Sequence, residues 1–325
     1  MNEYFEKQLM RLANTDKMFS SENIDLYQYP EFLYKYKEIS KYSLDMLEQQ
    51  YLWADLPMQS LDTSDSLIRL ELYEKDEPAL ITVLQRMFEQ KNSITQPTQS
   101  IPIVTKHELT LSEKKQLQQL ILTQHDEYGN VISWKKIIEK LEYFFDLNPY
   151  YQSIEKYLVE QTEFFRNRAN VGCLSKRKNN RMMWERYAGG FSGFVIEYDL
   201  HHDNTGNIIG NIFPMNYYND EDLPCFNYAE MLEHATAEGD KLKQFNKDVL
   251  YCLLVKHSDY AFEEEWRILV KENEIPLKIN AIYIGYKCSI GDESMLLKAC
   301  KKIQIPAYKQ CFNKLNGKMY FELTT

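Results

Sequence analysis

The segment AFEEEWRILV, residues 261–270, decides how this chain reads. Its second half, Trp266-Arg267-Ile268-Leu269-Val270, is bulky and apolar around one arginine and predicts a β-strand. Its first half sets Glu263, Glu264 and Glu265 against that strand, although glutamate is depleted in strands and adjacent like charges repel. Side chains alternate across a strand. Carrying the strand back through the glutamates puts Glu263, Glu265 and Arg267 on one face, with Phe262, Glu264, Trp266 and Ile268 on the other. Trp266 and Ile268 make the second face apolar and assign it to a core. Glu263 and Glu265 then share the opposite face, toward solvent or a cleft, as an E-x-E pair beside Arg267. The residues alone allow a solvated strand end, with Glu265 paired to Arg267, or a site.

Working outward, INAIYIGYKCS (residues 279–289) predicts a second strand, and GDESMLLKACKKI (291–303) a short amphipathic helix. YKQCFNKLNGKMYFEL (308–323) predicts a hairpin with Asn316-Gly317 as its two-residue turn. Upstream, GFVIEYDL (193–200) and NVGCLS (170–175) predict strands, separated by a basic loop and the short helix RMMWERYAGG (181–190). NIIGNIFPMNYY (207–218) continues as strand, and residues 227–257 predict a helix with VLYCLLV as its buried end. FLYKY (32–36) and YLWAD (51–55) add two more strands. Between them and residue 170 the pattern turns helical, and NSITQPTQSIP (92–102) reads as a linker. Strands, then helices, then mixed strands indicate an α+β fold with mixed, mainly antiparallel sheets. The expected organisation is one domain over residues 26–325, a helical insertion at about 66–165, and a polar lead-in over 1–25.

Composition narrows the function classes. The chain has 325 residues, 44% hydrophobic and 14% aromatic, which suits a packed core rather than a disordered chain. The net charge of −10 argues against a general nucleic-acid binder, since phosphate contacts dominate such affinity. A small basic patch, KRKNNR at 176–181, reads as solvated surface. Six cysteines form no C-x-x-C pair and sit in apolar sequence, as free thiols do in a reducing compartment. No run approaches the roughly 20 apolar residues of a membrane span, and the N-terminus lacks a signal-peptide core. The expected location is cytoplasmic, with no membrane partner. P-loop, G-x-G-x-x-G, G-x-S-x-G and H-E-x-x-H patterns are absent, and no metal ligand set is expected.

Two further constellations stand beside the glutamates. In CLSKRKNNRMMWERYAGGFSGFVIEYD (173–199), Trp184 and Tyr187 are three apart and would share a helix face above a glycine-rich bend. They are a ring-stacking pair or core anchors. In LYKYK (33–37), Tyr34 and Tyr36 share one strand face and Lys35 takes the other, where it would meet an anion or solvent.

Taken together, LYKYK, YLWADLP, the CLS…IEYD block and FEEEWR resemble a bacterial family known as domain of unknown function 2971. That family carries, in order, a YKY strand, an LWxS-x-P strand, a CLS…MWxxYAxxxxGFxIEYD block and a YExEWR strand. Where the family has a Phe-Asn-Asp-Pro turn, this chain has Ser60, Leu61, Asp62 and Thr63. More distantly, EEEWRILV followed by INAIYIGY is similar to the glutamate strands of NAD-using ADP-ribosyltransferases. That resemblance implies a split sheet and an NAD-consuming ADP-ribosyltransferase or NAD glycohydrolase, as a toxin or anti-phage effector acting on an acceptor. It would make Glu265 the catalytic carboxylate on the ribose, and Glu263 the group that orients the acceptor or acts as base. Lys35, standing where those enzymes have His or Arg, would meet the adenosine side or a phosphate. Ser175 would support the glutamate. Tyr36, Trp184 or Tyr187 would stack on nicotinamide, and Arg267 would belong to the same dinucleotide site. The alternatives are a carboxylate–metal phosphodiesterase or nuclease, with Glu197, Asp199, Glu263 and Glu265 on Mg²⁺, and a non-enzymatic interaction or sensor module.

Overall fold

The computed structural model describes residues 1–14, 24–57, 65–71, 104–123, 131–132, 134–202, 208–227, 230–231, 234–235 and 239–324. The expected linker at 92–102 and the turn at Ser60–Thr63 lie outside them. The strands, in chain order, are β1 (Phe32–Lys37), β2 (Tyr51–Trp53), β3 (Arg69–Glu71), β4 (Val104–Thr105), β5 (Phe145–Asp146), β6 (Asn170–Ser175), β7 (Phe194–Asp199), β8 (Ile212–Pro214), β9 (Asn216–Tyr218), β10 (Cys225–Asn227), β11 (Val255–His257), β12 (Glu265–Val270), β13 (Glu274–Pro276), β14 (Ile279–Ile284), β15 (Ala307–Phe312) and β16 (Met319–Thr324). The described helices are α1 (Glu3–Asn14), α2 (Lys41–Gln49), α3 (Leu111–Thr123), α4 (Trp134–Phe144), α5 (Asn148–Arg166), α6 (Arg181–Tyr187), α7 (Asp240–Tyr251) and α8 (Ile290–Ile303).

The chain divides into two compact units. The larger comprises Met1–Ile68, Phe164–Pro224 and Gly239–Thr325. Its main sheet has eight strands in the order β16-β15-β14-β7-β1-β6-β12-β8. All neighbours are antiparallel except β14 and β15, so the α+β class with mainly antiparallel strands is the fold found. The second unit, Arg69–Glu163 with Cys225–Glu238, holds α3, α4 and most of α5. In it β3 pairs with β10 and β4 with β5, and Leu117, Ile137 and Leu141 are buried.

Alternation along the central strands sorts two cores. Leu33, Phe194, Ile196, Trp266, Ile268 and Ile282 face one side and meet Phe5, Leu9, Leu47 and Leu296 of α1, α2 and α8. Tyr34, Tyr36, Val195, Ala281 and Tyr283 face the other, with Trp184 of α6. Two expectations need correction here. Residues 1–25 are not merely a polar lead-in, because Phe5, Leu9 and Leu12 recur at helical spacing in α1 and are buried. Phe5 meets Trp266 edge-on at 5.4 Å. The β15–β16 hairpin also has no two-residue turn. Phe312 pairs with Met319, and Asn313 closes the six-residue connection by accepting from the Gly317 amide and donating to the Lys318 carbonyl.

Gly193 and Gly285 are glycines for a geometric reason. A Cβ on Gly193 would sit 2.2 Å from the Lys37 carbonyl oxygen, and backbone cannot move aside as a flexible side chain does. Gly193→Ala is therefore expected to destabilise the protein by about 1–3 kcal/mol, the usual range for overpacking, read as a lower urea midpoint.

A candidate active site where the sheet parts

Neighbouring strands of the main sheet pair over three to six residues, with one exception. β1 and β7 pair over six residues, and so do β6 and β12. Between β1 and β6 only Tyr34 and Ser175 are paired. The sheet thus parts into leaves of five and three strands joined at one residue pair. Beyond that pair, the edges of β1 and β6 carry amides and carbonyls with no ladder partner across the gap, and other groups must satisfy them. The Lys35 ammonium does so on one side, donating to the Cys173 carbonyl at 2.8 Å.

A cavity of about 200 Å³ lies at this parting. β1 lines it with Tyr34, Lys35 and Tyr36, and β6 with Cys173, Leu174 and Ser175. Met183 and Tyr187 come from α6, Lys256 from β11, and Tyr260 and Glu263 from the 3₁₀ segment Ser258–Glu263. Glu265 opens β12, and Asp65 completes the wall.

The three glutamates separate here, for a reason other than strand alternation. The strand does not extend back through them. The 3₁₀ segment ends at Glu263, Glu264 takes a left-handed conformation with φ of 43°, and β12 starts at Glu265. The Ser175 hydroxyl donates to the Glu263 carbonyl at 2.7 Å, and the Lys176 amide donates to the Glu264 carbonyl, which pins the turn. Glu264 points outward and pairs with Arg177. Glu263 and Glu265 turn inward and are both buried, rather than lying on an open face.

Inside, six charged or polar side chains form one hydrogen-bonded chain. The Tyr187 hydroxyl donates to Glu263 Oε1. Lys256 Nζ donates to Glu263 Oε2 at 2.7 Å and to Glu265 Oε2 at 2.8 Å. Arg267 Nε donates to Glu265 Oε1 at 2.8 Å, and its far end reaches Asp65 Oδ1. Arg267 also donates to the Ser66 hydroxyl and the Leu253 carbonyl, each at 2.7 Å. The Tyr260 ring lies under the Lys256 ammonium, 5.0 Å away.

This arrangement drives the two glutamates in opposite directions. Burial pushes the Glu265 carboxyl up, but Arg267 and Lys256 outweigh it and hold the group well below the usual carboxylate range. Glu263 shares Lys256 but has no arginine. Burial raises it, and the Glu265 charge adds to the rise. Lys256 itself loses solvation, yet both glutamates hold its charge far above its ordinary range. Glu265 is therefore a fixed anion, and Glu263 is the carboxyl able to exchange a proton. One consequence concerns stability. A depressed carboxyl contributes stability above its ordinary value of 4.5 and loses it as pH falls toward the folded value. Glu265→Gln is expected to flatten the acid limb of stability against pH below 4.5, measured by urea unfolding at each pH.

Of the residues singled out in the sequence, Lys35, Tyr36, Ser175, Tyr187, Glu263 and Glu265 line this one cavity. Two do not. Trp184 is fully buried in the core, edge-on to Tyr36 at 5.6 Å, with its indole N–H on the Lys178 carbonyl. It forms no stacking pair with Tyr187, because α6 turns one ring inward and leaves the other at the rim. Arg267 is likewise fully buried behind Glu265, with its donors spent on protein groups. It positions a carboxylate and has no face toward a ligand. Ser175 supports Glu263 through the backbone carbonyl, not through the carboxylate.

Lys256, Asp65 and Tyr260 were missed. Lys256 ends the apolar run VLYCLLVK just before the glutamates, and a lysine closing a buried run is a signal for a buried counter-charge. The four carboxylates of the metal alternative do not meet. Glu197 is held by Asn280 Nδ2 at 2.6 Å, the Tyr283 hydroxyl at 2.7 Å and Lys178 at 3.3 Å. Among the described residues no group of three or more His, Cys, Asp or Glu is placed to hold a metal ion. None of the described helices is long and apolar enough to cross a membrane.

Residues 183–268 match a family model described as a protein of unknown function, DUF2971. The matched segment carries Tyr187, Lys256, Glu263 and Glu265 of the cavity. No curated protein and no solved structure matches the chain.

Proposed function

We propose that the cavity at the parted sheet cleaves the nicotinamide–ribose bond of NAD, as an ADP-ribosyltransferase or as a glycohydrolase. The observation that carries this reading is the convergence of Lys35, Tyr36, Ser175, Tyr187, Glu263 and Glu265 on one cavity, with two carboxylates bridged by one lysine. The cavity is smaller than the ~300–1,000 Å³ of pockets that enclose a whole drug-sized ligand. It suits the ribose and its leaving base, with the rest of the dinucleotide outside.

In this reaction the bond between ribose C1′ and the pyridinium nitrogen breaks, and its electron pair leaves with neutral nicotinamide. Positive charge develops on the ribose, as in glycoside cleavage. Preorganised negative charge stabilises it without reorganisation at the moment of reaction. Glu263 supplies that charge at the cavity wall, then accepts the proton of the water or acceptor group that adds to C1′. Glu265, neutralised by Arg267 and Lys256, fixes Lys256 and so positions Glu263. Tyr36 bounds the leaving base, and Lys35 lines the same cavity. The ADP-ribosyltransferase likeness, the use of NAD and a defence role all belong to this proposal.

The test is nicotinamide release from NAD by the purified protein, with and without added protein and nucleic-acid acceptors. Release supports the reading. No release together with no NAD binding overturns it, and divalent-metal-dependent nucleic-acid cleavage would favour the phosphodiesterase instead.

A further inference from the structure

Both carboxylate oxygens of Glu263 are occupied in this structure. Oε2 accepts from Lys256, whose side chain is buried like the glutamate it serves. Oε1 accepts from the Tyr187 hydroxyl. The two partners differ in kind. Lys256 is a buried ion tied to two carboxylates. Tyr187 is a neutral phenol, 38% exposed, on the last residue of the seven-residue helix α6. Glu263 itself is only 4% exposed. A ligand that engages the carboxylate must therefore replace one partner, and breaking the buried double ion pair is the costlier route.

We infer that Tyr187 is a displaceable cover, and that its hydroxyl stands where a sugar hydroxyl of the ligand docks on Glu263 Oε1. The donor chemistry selects the ligand class. The phenol offers one neutral O–H to a carboxylate, which a ribose hydroxyl reproduces and a phosphate or carboxylate does not. Burial, with the Glu263 charge adding, pushes the Tyr187 hydroxyl up and keeps it a donor. Rotation of the side chain carries the ring toward solvent that it already faces. This inference deepens the NAD reading and rests on it for the identity of the sugar.

Tyr187→Phe keeps the ring and removes the competing hydroxyl. It should bind ADP-ribose, and D-ribose alone, about tenfold tighter than wild type, the worth of one hydrogen bond to a charged acceptor. Calorimetry gives both affinities, and circular dichroism checks the fold. A hydroxyl that merely braces the turn leaves binding unchanged or weaker, which overturns the inference. Tighter D-ribose binding by Tyr187→Phe without nicotinamide release by wild type keeps the inference and removes the NAD reading. Nicotinamide release by wild type with no tightening in Tyr187→Phe does the reverse. If neither sugar binds either protein, both fall.

Discussion

Arg267→Leu is expected to cost about 3–5 kcal/mol of folding stability, the range for removing one partner of a buried ion pair. The arginine is fully buried and donates to Glu265, Asp65, Ser66 and the Leu253 carbonyl. Leucine would strip the Asp65 carboxylate of its charged donor, leaving it the Ser66 hydroxyl, and would take one donor each from that hydroxyl and from the Leu253 carbonyl, in a place water does not reach freely. Glu265 would keep Lys256 alone. Urea unfolding should show a much lower midpoint, with a similar slope. A second replacement separates charge from packing. Asp65→Leu added to Arg267→Leu removes one stranded charge, so the double variant should be more stable than the sum of the single losses allows. Additive losses would mean that Asp65 and Arg267 do not act as a pair.

Glu263→Gln is expected to slow nicotinamide release by about 10²–10³-fold, the size seen when one preorganised electrostatic group is lost. The amide keeps the shape; its oxygen can accept from Lys256 while its NH2 donates to the Tyr187 hydroxyl, so the fold should persist. It brings no negative charge to the ribose and takes no proton from the incoming nucleophile. The wild-type rate should rise with pH as Glu263 loses its proton, along a limb set above glutamate's ordinary 4.5. Glu265→Gln should act differently. It loosens Lys256 and Arg267, and so should lower stability as well as rate, with the limb shifted because the repulsion that raises Glu263 is gone. A Glu265→Gln effect on rate without any effect on stability would place Glu265 in contact with substrate instead.

Much of this was legible in the sequence because strand period is a strong signal. NVGCLS matches β6 in full, and GFVIEYDL contains β7. Alternation also gave the right partition of the glutamates, but through the wrong backbone. A 3₁₀ turn and a left-handed Glu264 carry no periodic signal, and their result happens to mimic a strand's parity. Burial was left open for the same reason. Alternation allowed solvent or a cleft, because the cation that bridges both glutamates, Lys256, comes from a different strand, and Asp65, which holds the far end of Arg267, lies far away in the chain. Trp184 and Tyr187 share helical spacing, but α6 is too short for spacing to fix a face. The parting of β1 from β6 rests on a pairing register, a long-range property that the strand sequences do not show.

The account turns on whether the carboxylate bridged by Lys256 and Tyr187 works on a glycosidic bond. Nicotinamide release from NAD, followed side by side for the wild type and for folded Glu263→Gln, tests it most directly. The account predicts release by the wild type and about a hundredth or less of that rate in the variant. Equal rates in the two proteins, or no release and no NAD binding by the wild type, would contradict it.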